Sequence, residues 1–155
     1  MTDEIRFYRA TGPHGFLSNL YPARLFFEGR WFDCAEQAYQ FGKPQSQSVA
    51  EWLIAAPTFS LCAQAAHALL PWQVRPDWSR EKVPRMQLIL RAKFTQDGHT
   101  SELFAQLQAT GDSPLIEESK TDAFWGIGRK GDGKNMLGIL LMAQRAAKGD
   151  CSWLT

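Results

Sequence analysis

The chain has 155 residues, of which 45% are hydrophobic and 21% are charged, and this composition favours a single globular domain over residues 1–155 with its own core. Its 17 basic and 16 acidic residues give a formal net charge of +1. A charge this small excludes strong overall attraction to nucleic acid or membrane, so an anionic ligand must be bound locally. Three widely spaced cysteines without a CxxC pair argue against a disulfide framework or a zinc site.

The sequence also bears on the compartment. The N-terminal residues lack the apolar core of a signal peptide, and no apolar run approaches the roughly 20 residues that cross a bilayer. Because thiols stay reduced in the cytosol, Cys34, Cys62 and Cys151 fit that compartment. We therefore expect a cytoplasmic protein with no membrane partner.

Residues 5–32 are aromatic-rich and β-prone, and Gly and Pro residues divide them into short predicted strands. Helical spacing of apolar residues dominates from residue 34 onward, and a later apolar segment, PLIEES, is a candidate buried strand. A glycine-rich segment, WGIGRKGDGKN, precedes a last apolar helix. Strands and helices do not alternate regularly. The sequence therefore predicts a mainly helical α+β domain with a small N-terminal sheet, not a doubly wound parallel sheet.

The first segment with functional side chains runs from Asp33 to Lys43. If it is helical throughout, Glu36, Gln40 and Lys43 fall at positions i, i+4 and i+7 and share one face. A carboxylate, an amide and an amine along the edge of a buried surface can hold a polar substrate. The alternative is structural, because Asp33 and Glu36 have the spacing of a capping box at the start of their own helix.

The second such segment is the glycine-rich loop. Its backbone amides, basic side chains and the start of a helix near Asn135 are predicted to converge on phosphate or pyrophosphate. The alternative is a mobile, solvated loop. The loop also spells GxGxxG and GxxxxGK, but mostly helix follows and Asn135 replaces the required Ser or Thr, so neither nucleotide fold is expected. The glycines and basic residues concerned are Gly126, Gly128, Gly131, Gly133, Arg129, Lys130 and Lys134.

Acidic residues stand directly before this loop. Glu117, Glu118 and Asp122 would repel a phosphate, so their presence indicates acid–base catalysis or binding of ribose hydroxyls. Trp125 offers a flat face for a heterocycle, and the alternative is a buried tryptophan that anchors the loop.

Trp78 and Lys82 lie one turn apart in a predicted helix, where they can stack on a base and pair with a phosphate. The alternative is a solvated first turn with an aromatic staple. The histidines have no metal-ligand spacing, and no cysteine has an obvious activating partner. We therefore expect no metal ion, no other cofactor and no thiol catalysis.

Several segments, taken in order, resemble the NADAR/YbiA-like family: FLSNLYP, AEQAYQFGK, the pattern Trp78–Lys82–Met86, RAKF, LIEESKTDAFWGIG and GKNMLGILLMAQR. The similarity spans residues 6 to about 145. It implies that family's own α+β fold and N-glycosidase activity. Some members cleave ribosylamino-pyrimidine phosphate intermediates of riboflavin biosynthesis, and others remove ADP-ribose from modified guanine bases in nucleic acid.

The resemblance also implies roles for individual residues. Glu36, Gln40 and Lys43 match the glutamate, glutamine and lysine of the family's SEHxxQ helix. Its DxxWG motif and its GxNxLG helix start are matched by Asp122, Trp125, Gly126, Asn135 and Gly138. Near these motifs the chain departs from the family pattern at Leu20, Cys34, Ala35 and Gln37. These departures bear on which substrate is chosen.

The predicted reaction is hydrolysis of the C1–N bond of a phosphorylated ribosylamine, with Glu36, Lys43 and Asp122 as catalytic residues. Glu36 stabilises the positively charged sugar and activates water, Asp122 orients the sugar or protonates the leaving nitrogen, and Lys43 pairs with an anion or forms a Schiff base. The alternatives are removal of ADP-ribose from guanine in nucleic acid, and a non-catalytic nucleotide-binding module. The predicted substrate-binding residues are Asn19, Gln40, Trp78, Lys82, Trp125, Gly126, Gly128, Arg129, Lys134 and Asn135.

Overall fold

The computed structural model describes residues 3–95 and 99–147, so Cys151 lies outside the described residues. The chain forms two compact units: a central unit, Pro22–Lys93, and a terminal unit that combines Met1–Tyr21 with Phe94–Thr155. Short strands near the N-terminus, helices after residue 34 and one late strand confirm the α+β prediction. The elements are β1 (Ile5–Phe7), β2 (Leu25–Phe27), β3 (Arg30–Phe32), α1 (Ala35–Phe41), α2 (Gln47–Ile54), α3 (Phe59–His67), α4 (Trp78–Thr95), α5 (His99–Ala109), β4 (Leu115–Glu117) and α6 (Met136–Ala146), with short 3-10 helices at Gly15–Leu17 and Pro71–Gln73.

The central unit begins with a hairpin of β2 and β3. Glu28 and Gly29 connect the strands, both with positive φ (50° and 83°), as a two-residue turn that matches the twist of a hairpin requires. Side chains alternate between the two faces of the ribbon. Leu25 is fully buried, whereas Phe26 and Trp31 form an exposed cross-strand pair.

Helix α1 packs against α2, α3 and β3. Its residues Ala35 and Ala38 are fully buried, and small side chains at these positions allow a close approach of the neighbouring elements. A cluster of Leu53 on α2 with Cys62 and Ala66 on α3 continues the core. Helix α1, which carries Glu36, is thus held on several sides.

Arg85 ties helix α4 to α1 and to the hairpin turn. Its guanidinium donates to the Ala38 carbonyl at 3.2 and 2.6 Å and to the Glu28 carboxylate at 3.0 Å. The Phe27 ring centroid lies 5.0 Å from it. A Cβ atom at Gly42 would overlap the Arg85 side chain, so this close approach explains the glycine after α1.

The terminal unit joins the two ends of the described chain. Strand β1 pairs in parallel with β4, with Ile5 opposite Leu115 and Phe7 opposite Glu117, so the predicted strand in PLIEES is present. Helix α6 packs on β4, and α5 packs on α6. Within residues 3–95 and 99–147, no helix has the length and apolar character needed to cross a lipid bilayer.

Gly138 is expected to tolerate no side chain. A Cβ atom there would overlap the Leu115 carbonyl oxygen and the Asn135 side chain, neither of which can move without disturbing β4. We expect Gly138→Ala to lower the free energy of unfolding by about 1–3 kcal/mol, as overpacked sites do, despite the better helix propensity of alanine. Denaturant titration checks this. Gly12→Ala is the matched control, since its Cβ would lie 3.4 Å from the Arg9 oxygen, and equal loss in both variants would contradict the expectation.

Candidate active site

Glu36 takes no part in the N-terminal cap of helix α1. The N-cap residue is Cys34, and its side chain makes no capping hydrogen bond. The Asp33 amide instead donates to Gln37 Oε1 at 2.9 Å. The capping-box alternative for Asp33 and Glu36 is therefore wrong, because Gln37, one of the departures from the family pattern, makes the bond that the alternative gave to Glu36.

Glu36 and Gln40 form a carboxylate–amide pair on α1. Gln40 Nε2 donates to Glu36 Oε1 at 2.8 Å. Glu36 is half-buried, and Gln40 is only 3% exposed. Gln40 Oε1 is buried and accepts no hydrogen bond from the described part of the chain. Buried polar atoms usually have partners, so this oxygen is suited to accept a hydrogen bond from a bound hydroxyl or amine while the amide nitrogen orients Glu36.

Lys43 lies beyond the end of α1, which corrects the prediction that it continues the helical face. The helix ends at Phe41 with Gly42 as C-cap, and Pro44 disfavours helical backbone at the residue before it. Lys43 Nζ donates to the Ala66 carbonyl on α3 at 2.8 Å. The amine is thus positioned by a turn and by α3.

The electrostatic surroundings of Lys43 favour a reactive amine. Burial lowers its pKa from the usual 10.5; the Glu36 carboxylate opposes this effect and Lys82 reinforces it. Lys43 therefore interacts with both Glu36 and Lys82, so the central unit brings these three predicted residues into one electrostatic neighbourhood. A larger neutral fraction makes the amine a better nucleophile.

Trp78, on the first turn of α4, packs with its ring centroid 5.0 Å from that of Tyr39. Only 9% of Trp78 is exposed, which fits the aromatic staple and leaves little ring face for a base. Cys34 and Cys62 are buried thiols, and burial raises their pKa values to about 12 and about 11. Both therefore stay protonated at neutral pH.

In the terminal unit, Asp122 organises the turn that carries Trp125. Its Oδ1 accepts hydrogen bonds from the Phe124 amide at 2.9 Å and from the Trp125 amide at 2.8 Å. No hydrogen bond to Oδ2 is found among the described residues. Trp125 is half-buried and contacts Phe124 edge to face, with centroids 5.0 Å apart. Asp122 thus uses Oδ1 to hold the turn, and its Oδ2 is available for other contacts.

The glycine-rich loop is fastened by its own backbone. Its amides donate to carbonyls of residues 117–128, and the amides at the start of α6 do so too: Asn135 to Gly126 at 3.0 Å, Met136 to Phe124 at 3.0 Å and Leu137 to Trp125 at 3.1 Å. Neither the predicted anion cradle at the start of α6 nor the alternative of a mobile, solvated loop agrees with this arrangement. The physical reason is that the orphan amides of a helix start are satisfied by carbonyls here.

Asn135 holds this loop on β4. Its Nδ2 donates to the Leu115 carbonyl at 2.8 Å, and its Oδ1 accepts from the Glu117 amide at 2.9 Å. Its backbone is left-handed, with φ of 50°. Both side-chain polar atoms thus help to position the loop, and contact of Asn135 with substrate stays a prediction.

The remaining predicted ligands have different surroundings. A Cβ at Gly126 would lie 2.9 Å from the Glu117 oxygens, and Gly128 has a φ of 70°, so packing and backbone conformation account for both glycines. Lys134 Nζ lies 5.5 Å from the Phe124 ring centroid. Arg129 is exposed and Asn19 is buried. Direct contact of these residues with substrate stays a prediction.

The prediction overlooked Lys93. This lysine is fully buried, and burial lowers its pKa to about 7, although Cys34 opposes the shift. The helical spacing in the sequence could have indicated its burial, because Lys93 follows the buried Ile89 and Leu90 at i+4 and i+3 on the same face of α4. A lysine on such a stripe is exceptional.

The chain matches the NADAR domain family over residues 6–147. It is 37% identical over 145 residues to a riboflavin biosynthesis protein of Vibrio vulnificus, with 94% of this chain but only 38% of that longer protein covered. It is 32% identical over 141 residues to the N-glycosidase YbiA of Escherichia coli, with 91% of this chain and 86% of YbiA covered. The NMR structure of E. coli YbiA superimposes with a TM-score of 0.82, covering 95% of this chain and 85% of that one at 31% identity.

Proposed function

Because the chain belongs to the NADAR domain family, we propose that it is an N-glycosidase that hydrolyses the C1–N bond of a phosphorylated ribosylamine. Two observations on one carboxylate carry the proposal. Gln40 Nε2 donates to Glu36 Oε1 at 2.8 Å, and Glu36 interacts electrostatically with Lys43, whose pKa is lowered by burial. The names of two relatives, a riboflavin biosynthesis protein and an N-glycosidase, favour this reaction and this substrate class.

Glu36 is proposed to act on the sugar. Cleavage of the C1–N bond develops positive charge at C1 and the ring oxygen, as in the oxocarbenium-like transition state of glycosidases. A carboxylate beside this charge stabilises it and accepts a proton from the attacking water. The bond from Gln40 fixes one carboxylate oxygen, and the buried Gln40 Oε1 is proposed to accept from a ribose hydroxyl.

Asp122 and Trp125 receive their proposed roles from the family motif that they match and from the geometry of their own unit. Asp122 uses Oδ1 to hold the turn, and Oδ2 is proposed to orient the sugar or to help protonate the leaving nitrogen. The half-buried Trp125 ring is proposed to stack on the heterocycle. This chemistry needs only carboxylates and an amine, so we propose that the reaction requires no metal ion. We also propose that the protein acts in the cytoplasm, where free thiols such as those of Cys34 and Cys62 stay reduced.

Lys43 is proposed to provide a second route, which starts from the ring-opened sugar and passes through a Schiff base instead of direct attack of water on the closed ring. Its neutral amine attacks C1 of the ring-opened glycosylamine, the leaving amine departs with a proton, and water then hydrolyses the lysine imine to release the sugar. Sodium borohydride added with substrate is therefore expected to leave a reduced sugar adduct on Lys43, detectable by peptide mass spectrometry. Lys43→Arg should give none. Turnover without any adduct in the unsubstituted protein would leave only the anion-pairing role.

The substrate class is tested by comparing two ribosylated compounds. A ribosylamino-pyrimidine phosphate and an oligonucleotide bearing ADP-ribosylated guanine are incubated separately with the protein, and the products are identified by mass spectrometry. Release of free pyrimidine amine with faster turnover supports the proposal. Faster release of ADP-ribose from the oligonucleotide would assign the chain to the other substrate class, and no release from either compound would contradict N-glycosidase activity.

A further inference from the structure

The C-terminal end of α1 is completed by an arginine from α4. In a continued helix the Gly42 amide would donate to the Ala38 carbonyl, but it donates to the Tyr39 carbonyl at 3.2 Å. The Ala38 carbonyl instead accepts from Nε and Nη2 of Arg85, at 3.2 and 2.6 Å. The last carbonyls of a helix need partners from outside the helix, and a cation there also suits the helix dipole. Arg85 therefore acts as the cap of α1.

The third nitrogen of the same guanidinium is held from the hairpin turn. Nη1 of Arg85 lies 3.0 Å from both carboxylate oxygens of Glu28. Glu28 has a φ of 50°, a conformation that two-residue hairpin turns usually assign to Asn, Asp or Gly. Arg85 is only 7% exposed, and a buried charge needs a charged or hydrogen-bonded partner. The ion pair therefore accounts for a glutamate at a turn position that does not favour one.

Helix α1 depends on such contacts for its position. It has only seven residues, and a helix this short is not stable by itself in water. At its N-terminal end, the side chain of Gln37 accepts from the Asp33 amide at 2.9 Å, and at its C-terminal end the bonds come from Arg85. The pair of Glu36 and Gln40 lies within these seven residues. Its place in the central unit is therefore set by the contacts of both ends.

We propose that Arg85, paired with Glu28, is a positioning residue for the Glu36 carboxylate. Arg85 has little exposed surface to offer a substrate, so it acts through α1. The inference deepens the proposed hydrolysis and rests on it, because the place of Glu36 affects the rate only if Glu36 acts on the sugar. A displacement of about 1 Å in a reacting group can lower a rate on the order of 100-fold, so a small movement of α1 is sufficient.

Two variants weaken this end of α1 to different degrees. Arg85→Met removes every bond of the guanidinium but keeps an unbranched side chain beside the Phe27 ring. Glu28→Ala removes only the ion pair, at an exposed turn residue where the fold should be retained. Arg145→Met is the matched control, because Arg145 also donates to a carbonyl, that of Ser113 at 2.8 Å, but lies in the terminal unit. Circular dichroism verifies that each variant is folded under the assay conditions.

Hydrogen exchange measured by mass spectrometry reports how firmly α1 is held, whether or not the protein is active. In Arg85→Met, the amides of α1 are expected to exchange faster relative to those of α3, because local opening becomes easier. Steady-state kinetics on the ribosylamine should show kcat lowered about tenfold or more. KM should stay within about threefold, because the lost interaction belongs to the transition state. Glu28→Ala should change exchange and kcat in the same directions by smaller factors, and Arg145→Met should change neither.

The combination of results decides the inference, and Glu28→Ala decides it alone if Arg85→Met does not fold. Selectively faster exchange of α1 together with a lower kcat supports the positioning role. Faster exchange with an unchanged kcat would overturn it, because Arg85 would then be structural only, and a lower kcat with unchanged exchange would overturn it as well. If the unsubstituted protein released no product, the proposed hydrolysis and the role of Arg85 in it would both be wrong, a result that needs no substitution to be seen.

Discussion

Glu36→Gln is expected to reduce kcat by about 100-fold or more, the range typical of lost acid–base catalysis. The amide has nearly the shape of the carboxylate, but it neither carries the negative charge that stabilises the sugar cation nor accepts a proton from water. The fold should be retained, because Glu36 lies outside the N-terminal cap of α1. Steady-state kinetics at saturating ribosylamine, with circular dichroism to verify folding, measure the effect.

The control for this substitution is Glu51→Gln. Glu51 is an exposed residue of α2 that pairs with Arg30, so the control makes the same change of charge and should leave kcat within about twofold, as for ordinary surface changes. If Glu36→Gln also stayed within this range, the proposed catalytic role of Glu36 would be wrong. If the unsubstituted protein bound the substrate without turning it over, and Glu36→Gln bound it with the same affinity, the chain would be a binding module.

Lys93 is expected to make the free energy of unfolding depend on pH. The pKa of Lys93 is about 7 in the folded protein against the usual 10.5, so between these values the unfolded chain binds a proton that the folded chain does not. The free energy of unfolding should therefore rise as pH increases from about 7 towards 10.5. Below about pH 7 both states are protonated, so the free energy of unfolding should stay at its lower value. A shift of this size corresponds to an upper limit of about 5 kcal/mol across the window.

Lys93→Met isolates this effect, since methionine fills a similar space without a titratable group. The variant should flatten the pH dependence measured by denaturant titration from pH 6 to pH 10. The difference in slope is the diagnostic quantity, because the substitution also removes the contacts that Lys93 makes. Lys120→Met, at an exposed lysine, controls for the loss of one charge. Parallel curves for the unsubstituted protein and Lys93→Met would show that the buried amine does not titrate in this window.

Local patterns predicted most of the fold. Aromatic-rich segments divided by Gly and Pro residues indicate the short strands, and periodic apolar residues indicate the helices, because both signals depend on neighbours in sequence. The end of α1 was also available from the sequence. Pro44 disfavours helical backbone at Lys43, so the sequence itself indicates that Lys43 lies beyond the helical face.

The site required information that only folding supplies. Asn135 and the glycine-rich loop look like an anion cradle until their partners are known. Those partners are the Leu115 carbonyl on β4 and the carbonyls of residues 123–126 at the start of the same segment, and only the folded chain brings them to these donors. Glu36 illustrates the same limit. Its spacing from Asp33 fits a cap as well as a catalytic group, and the Gln37 side chain decides between them.

The parallel pairing of β1 with β4 constrains the order in which the protein forms. The central unit is one continuous segment, whereas Ile5 cannot meet Leu115 until synthesis has passed Leu115 and this residue has left the ribosome. Contacts between residues so distant in sequence form slowly. The nascent protein is therefore expected to complete the segment that carries Glu36 first, and a chain shortened before Leu115 would leave the first strand without its parallel neighbour.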